Sequence, residues 1–267
     1  MLQEPGTSPY DLHFNCFGFP VRIAWGFWIV AAVLGWGWSG MMDDIAIGQK
    51  TDSPGAPMLL VVWIAALWLS ILIHELGHAI AMRFYGIRSR IVLYHFGGLA
   101  ISDSFGAWDG ARRGRVEPRE QIVISLAGPA AQLALALVVW LIGLQLDVRM
   151  ELSGWINRFI GVEIAEPDYP KSSIVLYALF DAILYPSTAW AILNLAPILP
   201  LDGGQIMRSG LMLTRARDPL RAAHIVSIGV GALLGIYFMQ SGEMFGLMFL
   251  LFAANNWQAM QYGSRGY

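Results

Sequence analysis

Residues 74 to 78 read His-Glu-Leu-Gly-His and lie inside an apolar run from Met58 to Met82. On an α-helix, positions i and i+4 share a face, so His74 and His78 are spaced to hold one metal ion. Glu75, turned about 100° from His74, is placed to reach a water on that metal. An ionisable group near the centre of a bilayer costs roughly 2.5 to 3.5 kcal/mol on insertion scales, and this stretch carries three. Polar groups satisfied by packing against neighbouring helices are the plainer reading, but zinc-dependent hydrolysis gives all three a task.

A catalytic zinc takes three protein ligands and keeps one position open for water, so the chain must supply a third. Cys16 is the only cysteine, which excludes an intrachain disulfide and leaves nitrogen and oxygen ligands. Asp202 is the better candidate, standing in Asn194-Leu-Ala-Pro-Ile-Leu-Pro-Leu-Asp-Gly-Gly204. There Pro197 and Pro200 remove backbone donors, while Gly203 and Gly204 relax the chain. Non-helical backbone at membrane depth survives only where protein or water surrounds it, so a cavity is expected around this segment. Asp181 is a weaker candidate, and His13, His95 and His224 read as ordinary polar residues.

The elements that must position these residues are membrane helices. The chain of 267 residues is 56% hydrophobic and only 13% charged, beyond what a soluble domain of this length shows. Apolar stretches near the spanning length fall at 21–40, 58–82, 121–146, 174–199, 224–240 and, more weakly, 243–257. The expected fold is therefore an α-helical polytopic membrane protein of about six transmembrane helices, forming one domain over 1–267. The last two spans admit either a helical hairpin or one bent helix. After the second span, Ser89 to Ser104 has β-branched and aromatic residues on either side of Gly97-Gly98, which predicts a short β-hairpin or edge strand. Asp103 to Pro118 reads as an exposed loop, and a short helix is expected near Trp155 to Ile160.

Charge sets the sidedness. Seven arginines from Arg83 to Arg119 and four from Arg208 to Arg221 mark cytoplasmic segments. The loop with Asp43, Asp44 and Asp52, and residues 147–173 with five acids against three bases, mark the outer side. Both termini then lie inside, as an even number of spans requires. Positive-inside bias explains the basic loops without a nucleic-acid partner. His78 lies about 7.5 Å of helix from Arg83, and Asp202 stands six residues before Arg208, so both metal-binding pieces fall near the cytoplasmic face. No cleavable signal peptide is expected, because the first 20 residues carry Glu4 and Asp11 and lack a basic start before an apolar core.

With HELGH at 74–78 and NLAPILPLDGG at 194–204, the chain resembles the site-2 protease family of intramembrane zinc metalloproteases. The likeness extends to Phe96-Gly97-Gly98 and to Ala127-Gly128-Pro129. It implies one Zn²⁺ per chain on His74, His78 and Asp202, with Glu75 as the catalytic base. It also implies a transmembrane protein as substrate, reached within the lipid bilayer, and a polar site-lining role for Asn194. Phe96, Gly97, Gly98, Pro197 and Gly203 join Asn194 as candidate substrate-contacting or site-lining residues. Relatives often carry Asn three residues after the Gly-Pro, where this chain has Gln132, and His where it has Ala24. The PDZ or CBS domains of some members are not expected here, so gating is expected to come from the core or from a regulatory membrane partner.

Two alternatives belong to other classes. A catalytically silent transporter or metal-binding protein would need no acid beside the first histidine. A serine protease reading of Gly37-Trp38-Ser39-Gly40 lacks a histidine at the same depth. Gly128-Pro129 is expected to kink the third span and allow close packing. The tryptophans, among them Trp36, Trp38, Trp63 and Trp155, are expected to be interfacial anchors.

Overall fold

Phe17 and Gly18 both take positive φ, 49° and 79°, and there the chain doubles back between two short strands. These are β1 (Leu12–Cys16) and β2 (Phe19–Ile23), an antiparallel pair. Helices α1 (Gly26–Gly48) and α2 (Ala56–Phe84) follow, then strands β3 (Ser89–Tyr94) and β4 (Gly97–Ser102). The remainder is helical: α3 (Pro118–Gln145), α4 (Ile174–Asn194), α5 (Asp202–Leu213), α6 (Pro219–Gln240) and α7 (Phe245–Gly263). This computed structural model describes residues 6–95, 97–102, 116–146, 174–214, 217–241 and 245–263. The expected short helix near Trp155 lies outside the described residues, as does most of the Asp103 to Pro118 loop.

Among the described residues, four helices are long and apolar enough to cross a membrane: α2, α3, α4 and α6. Helices α1 and α7, with 23 and 19 residues, are not among these four. The first expected span, 21–40, must be corrected. Its opening residues form β2, and the helix runs instead from Gly26 to Gly48. Phe19, Val21 and Ile23 are apolar because they are buried in the protein core, which by composition is indistinguishable from burial in lipid. The fourth span also ends earlier than expected, at Asn194 rather than 199, where Pro197 and Pro200 stop the helix. The last two expected spans are separate helices, α6 and α7, that pack antiparallel. Gly231 lies against Phe249 and Ala253, and Gly235 against Leu250 and Gly246.

The sheet has the order β1-β2-β3-β4. Strands β2 and β3 pair in parallel, Val21 with Ile91 and Ile23 with Leu93, across the long connection made by α1 and α2. Strands β3 and β4 are antiparallel and close at Tyr94–Gly97. The glycine pair therefore begins β4, whereas the sequence pattern centres it in the hairpin. Gly97 sits at φ +117° with the Trp190 ring against it, a place no side chain would fit. Strand β4 is the last strand of the sheet and pairs with β3 alone among the described residues.

Helix α2 is the axis of the molecule, packed against α1, α3, α4, β3 and β4. At Gly77 the backbone of α3 comes so near that an added Cβ would strike the Ala127 carbonyl. Outside the helices, Asp11 ties the sheet to the start of α1. Its carboxylate accepts from the Ser8 and Trp25 N–H groups at 3.0 and 3.2 Å and from Arg22 at 3.3 Å. Burial pushes this carboxyl up, but the hydrogen bonds and the Arg22 charge outweigh it and hold it below the usual carboxylate range. A depressed carboxylate stabilises the fold above the ordinary Asp value and loses that contribution as pH falls through its folded value. Asp11→Ala is therefore expected to lower the thermal midpoint by several degrees at pH 7, and to narrow the gap to wild type below about pH 4. Unfolding followed by intrinsic tryptophan fluorescence across that range checks it.

Candidate metal centre

His74 and His78 lie one turn apart on the buried side of α2, exposed by only 3% and 7%. The Ile124 carbonyl stands 2.7 Å from His78 Nδ1, and a carbonyl can only accept. His78 thus carries its proton on Nδ1 and offers a lone pair at Nε2. His74 Nδ1 lies 3.0 Å from the side-chain oxygen of Gln132, which likewise places its lone pair at Nε2. The two Nε2 atoms are 3.1 Å apart. Asp202 Oδ2 is 3.1 Å from that of His74, and Oδ1 is 3.3 Å from that of His78.

Three electron-pair donors facing one another repel unless a cation lies among them. Two imidazoles and a carboxylate, with no thiolate, form a donor set of the catalytic zinc type. The residues fit the metal that the sequence implies. The rings have room because α3 carries glycine at position 128, where a Cβ would collide with both histidines. Gly128 is therefore a requirement of the centre, beyond the close packing expected of it.

Asp202 arrives from the far side on the first residue of α5. The irregular segment before it is clamped by the α6–α7 hairpin. Ser227 Oγ accepts from the Leu199 N–H at 2.9 Å, and Asn256 donates to the Leu199 carbonyl at 2.6 Å. Asn256 is in turn held by His224, 2.7 Å away. Gly203 and Gly204 let this segment fold back, since a Cβ on either would strike backbone at Leu195 or Ile198. Pro197 belongs to the same turn and does not line the cavity, whereas Pro200 does.

Glu75 points to the other flank of α2, towards β4. A Cβ on Gly98 would run into its carboxylate, and the Ala100 N–H faces it. Between the β4 flank and the α3 flank lies a cavity of about 310 Å³ that exposes the three ligands and Glu75. Asn194, Gly98, Ala100, Trp190, Gln121 and Gln205 also line it. Phe96 falls outside the described residues. The other expected candidates do not gather here. Asp181 accepts from the Trp38 indole at 2.8 Å, and His95 packs on Tyr94 and Gly26. Ser39 lies buried in the interior of α1 and donates to the Trp36 carbonyl of its own helix. Trp63 is buried and stacks near Trp38, 5.1 Å between ring centres, so these two form an internal cluster and are not interfacial anchors.

Residues 62–238, which contain HELGH and Asp202, match the model of peptidase family M50. The chain belongs to peptidase family M50. Over 159 residues it is 29% identical to a relative from Synechocystis, matching 59% of this chain and 33% of that one. Over 184 residues it is 28% identical to a zinc metalloprotease of Methanocaldococcus jannaschii, matching 68% of this chain and 42% of that one. It thus spans a third to two fifths of the length of these M50 relatives. The fold is that of the site-2 protease from Methanocaldococcus jannaschii, with a TM-score of 0.51 at 20% identity, covering 94% of this chain and 95% of that one.

Sequence reasoning noted Gln132 only as a departure from relatives and gave it no partner, and it missed Ser227, Asn256 and the hairpin β1–β2. A signal existed for the hairpin, in Phe17-Gly18 between alternating apolar residues. None existed for Ser227, Asn256 or the partners of Gln132, which lie far away in the chain.

Proposed function

We propose that this M50 member is an intramembrane zinc metalloprotease that hydrolyses peptide bonds within or near transmembrane segments of membrane proteins. One zinc per chain would sit on His74, His78 and Asp202. The observation that carries the reading is the meeting of these three donors with Glu75 in one cavity between apolar helices. When bound there, zinc supplies a Lewis acid for the scissile carbonyl and an acidified water. Glu75 then takes the proton from the attacking water and passes it to the leaving amine nitrogen. A silent metal-binding protein would leave Glu75 without that task.

A helical substrate hides its carbonyls in its own hydrogen bonds, so it must unwind before it can be cut. Unpaired backbone in an apolar medium costs several kcal/mol per group, and β4, the edge strand of the sheet among the described residues, is the element suited to pair with it. Gly98 sits where that edge meets Glu75. Gly98→Val keeps strand propensity but forces the carboxylate aside. It is expected to slow cleavage on the order of 10²-fold with zinc content unchanged, measured on purified protein by metal analysis and substrate gel assay.

The same reading includes six spans in one domain, with α1 and α7 also crossing, both termini cytoplasmic, and the zinc nearer that face of the cell membrane. Gating would come from the core itself or from a regulatory membrane partner. Comparison of membrane proteomes from cells carrying wild type and Glu75→Gln tests the activity. A single-span protein should accumulate uncleaved only with the variant, and identical proteomes would count against proteolysis.

A further inference from the structure

Gln132 has no exposed surface and joins groups from three helices. From α3, its side-chain oxygen meets His74 Nδ1 at 3.0 Å, and its NH₂ donates to Ser70 Oγ at 2.7 Å. His74 and Ser70 are four residues apart on α2 and share a face, so one glutamine spans both. Ser187 on α4 adds a third link, donating to Ser70 Oγ at 2.9 Å. Both serines are fully buried. None of the three is a metal ligand or lines the cavity.

An amide can face either way. Turned over, Gln132 would present its NH₂ to His74 Nδ1, which would then have to accept. The ring proton would move to Nε2 and point at Asp202, where a metal needs a lone pair. The direction of one buried amide therefore decides whether His74 can be a ligand. We propose that Gln132 is a positioning residue that locks His74 in its metal-ready tautomer, and that Ser70, by accepting from the amide NH₂, holds the amide in that direction. This rests on the zinc reading above and adds to it the device that prepares the site. Partners that orient a metal-bound histidine are typically worth 10- to 100-fold in metal affinity.

The test titrates zinc alone into the full-length chain in detergent, against a competing chelator, with the zinc-free thermal midpoint reporting on folding. Gln132→Leu is expected to weaken zinc binding 10- to 100-fold. Gln132→Glu, at a pH where the carboxyl is ionised, offers acceptors only, cannot present a donor to Nδ1, and is expected to bind zinc at least as tightly as wild type. The decisive comparison is Ser70→Ala in two backgrounds. With Gln132 present it releases the amide and weakens zinc binding. In the Gln132→Glu background, which has no direction to lose, it leaves zinc affinity unchanged. A mere packing role for Ser70 would lower affinity equally in both, and that result would overturn the proposal even if Gln132→Leu failed to fold. So would zinc binding by Gln132→Leu within twofold of wild type. A wild type that binds no zinc at all would overturn the metal reading itself, and this inference with it.

Discussion

Glu75→Gln is expected to hold zinc at the wild-type stoichiometry and to cleave about 10² to 10⁴ times more slowly, the usual contribution of a positioned acid–base group. The change preserves shape beside Gly98 and touches none of the three donors, so metal and fold should be indistinguishable from wild type. What is lost is a carboxylate able to take and return a proton. Because both kcat and kcat/KM depend on that transfer, both should fall together. Metal analysis and single-turnover cleavage on the same preparation measure the two halves of the expectation. Substantial residual cleavage would assign the proton transfer elsewhere.

Asp202→Ala should do the reverse and remove the metal. It leaves two imidazoles, and among the described residues no other histidine, cysteine or carboxylate group joins the cluster. Asp181 is occupied with Trp38 and His95 lies against Gly26, so neither replaces it without moving an element. Zinc content is expected to fall to a small fraction of one per chain, and activity with it. Full zinc retention would mean that Glu75, the remaining acid in the cavity, is a ligand and not the base.

The sequence made the centre legible because its chemistry is local or punctuated. HELGH is a spacing on one helix, and Asp202 is betrayed by prolines and glycines that forbid regular helix at membrane depth. Depth inferred from arginines brought both halves to one level, and the structure places them within 3.3 Å. What escaped is long-range. Gln132 meets residues 58 and 62 positions away, and Asn256 meets one 57 positions away. Such pairs leave no pattern along the chain. Strand β2 escaped for another reason: its apolar residues pair in parallel with β3 across two helices, and buried strand and membrane helix read alike over a few residues. The glycines at 97 and 98 were visible as important, but their use differs. They begin an edge strand beside Trp190 and Glu75 and do not make the turn.

The most direct test of intramembrane zinc proteolysis is to map the cut. The purified chain, loaded with zinc and reconstituted in lipid vesicles, is mixed with single-span proteins whose transmembrane segments contain helix-weakening Gly or Pro residues. The new termini are then read by mass spectrometry. The expected result is a cut inside the apolar segment that disappears on zinc chelation, returns with added zinc, and is absent with Glu75→Gln. A zinc-loaded wild type that leaves every span intact, or a cut that persists with Glu75→Gln, would contradict it.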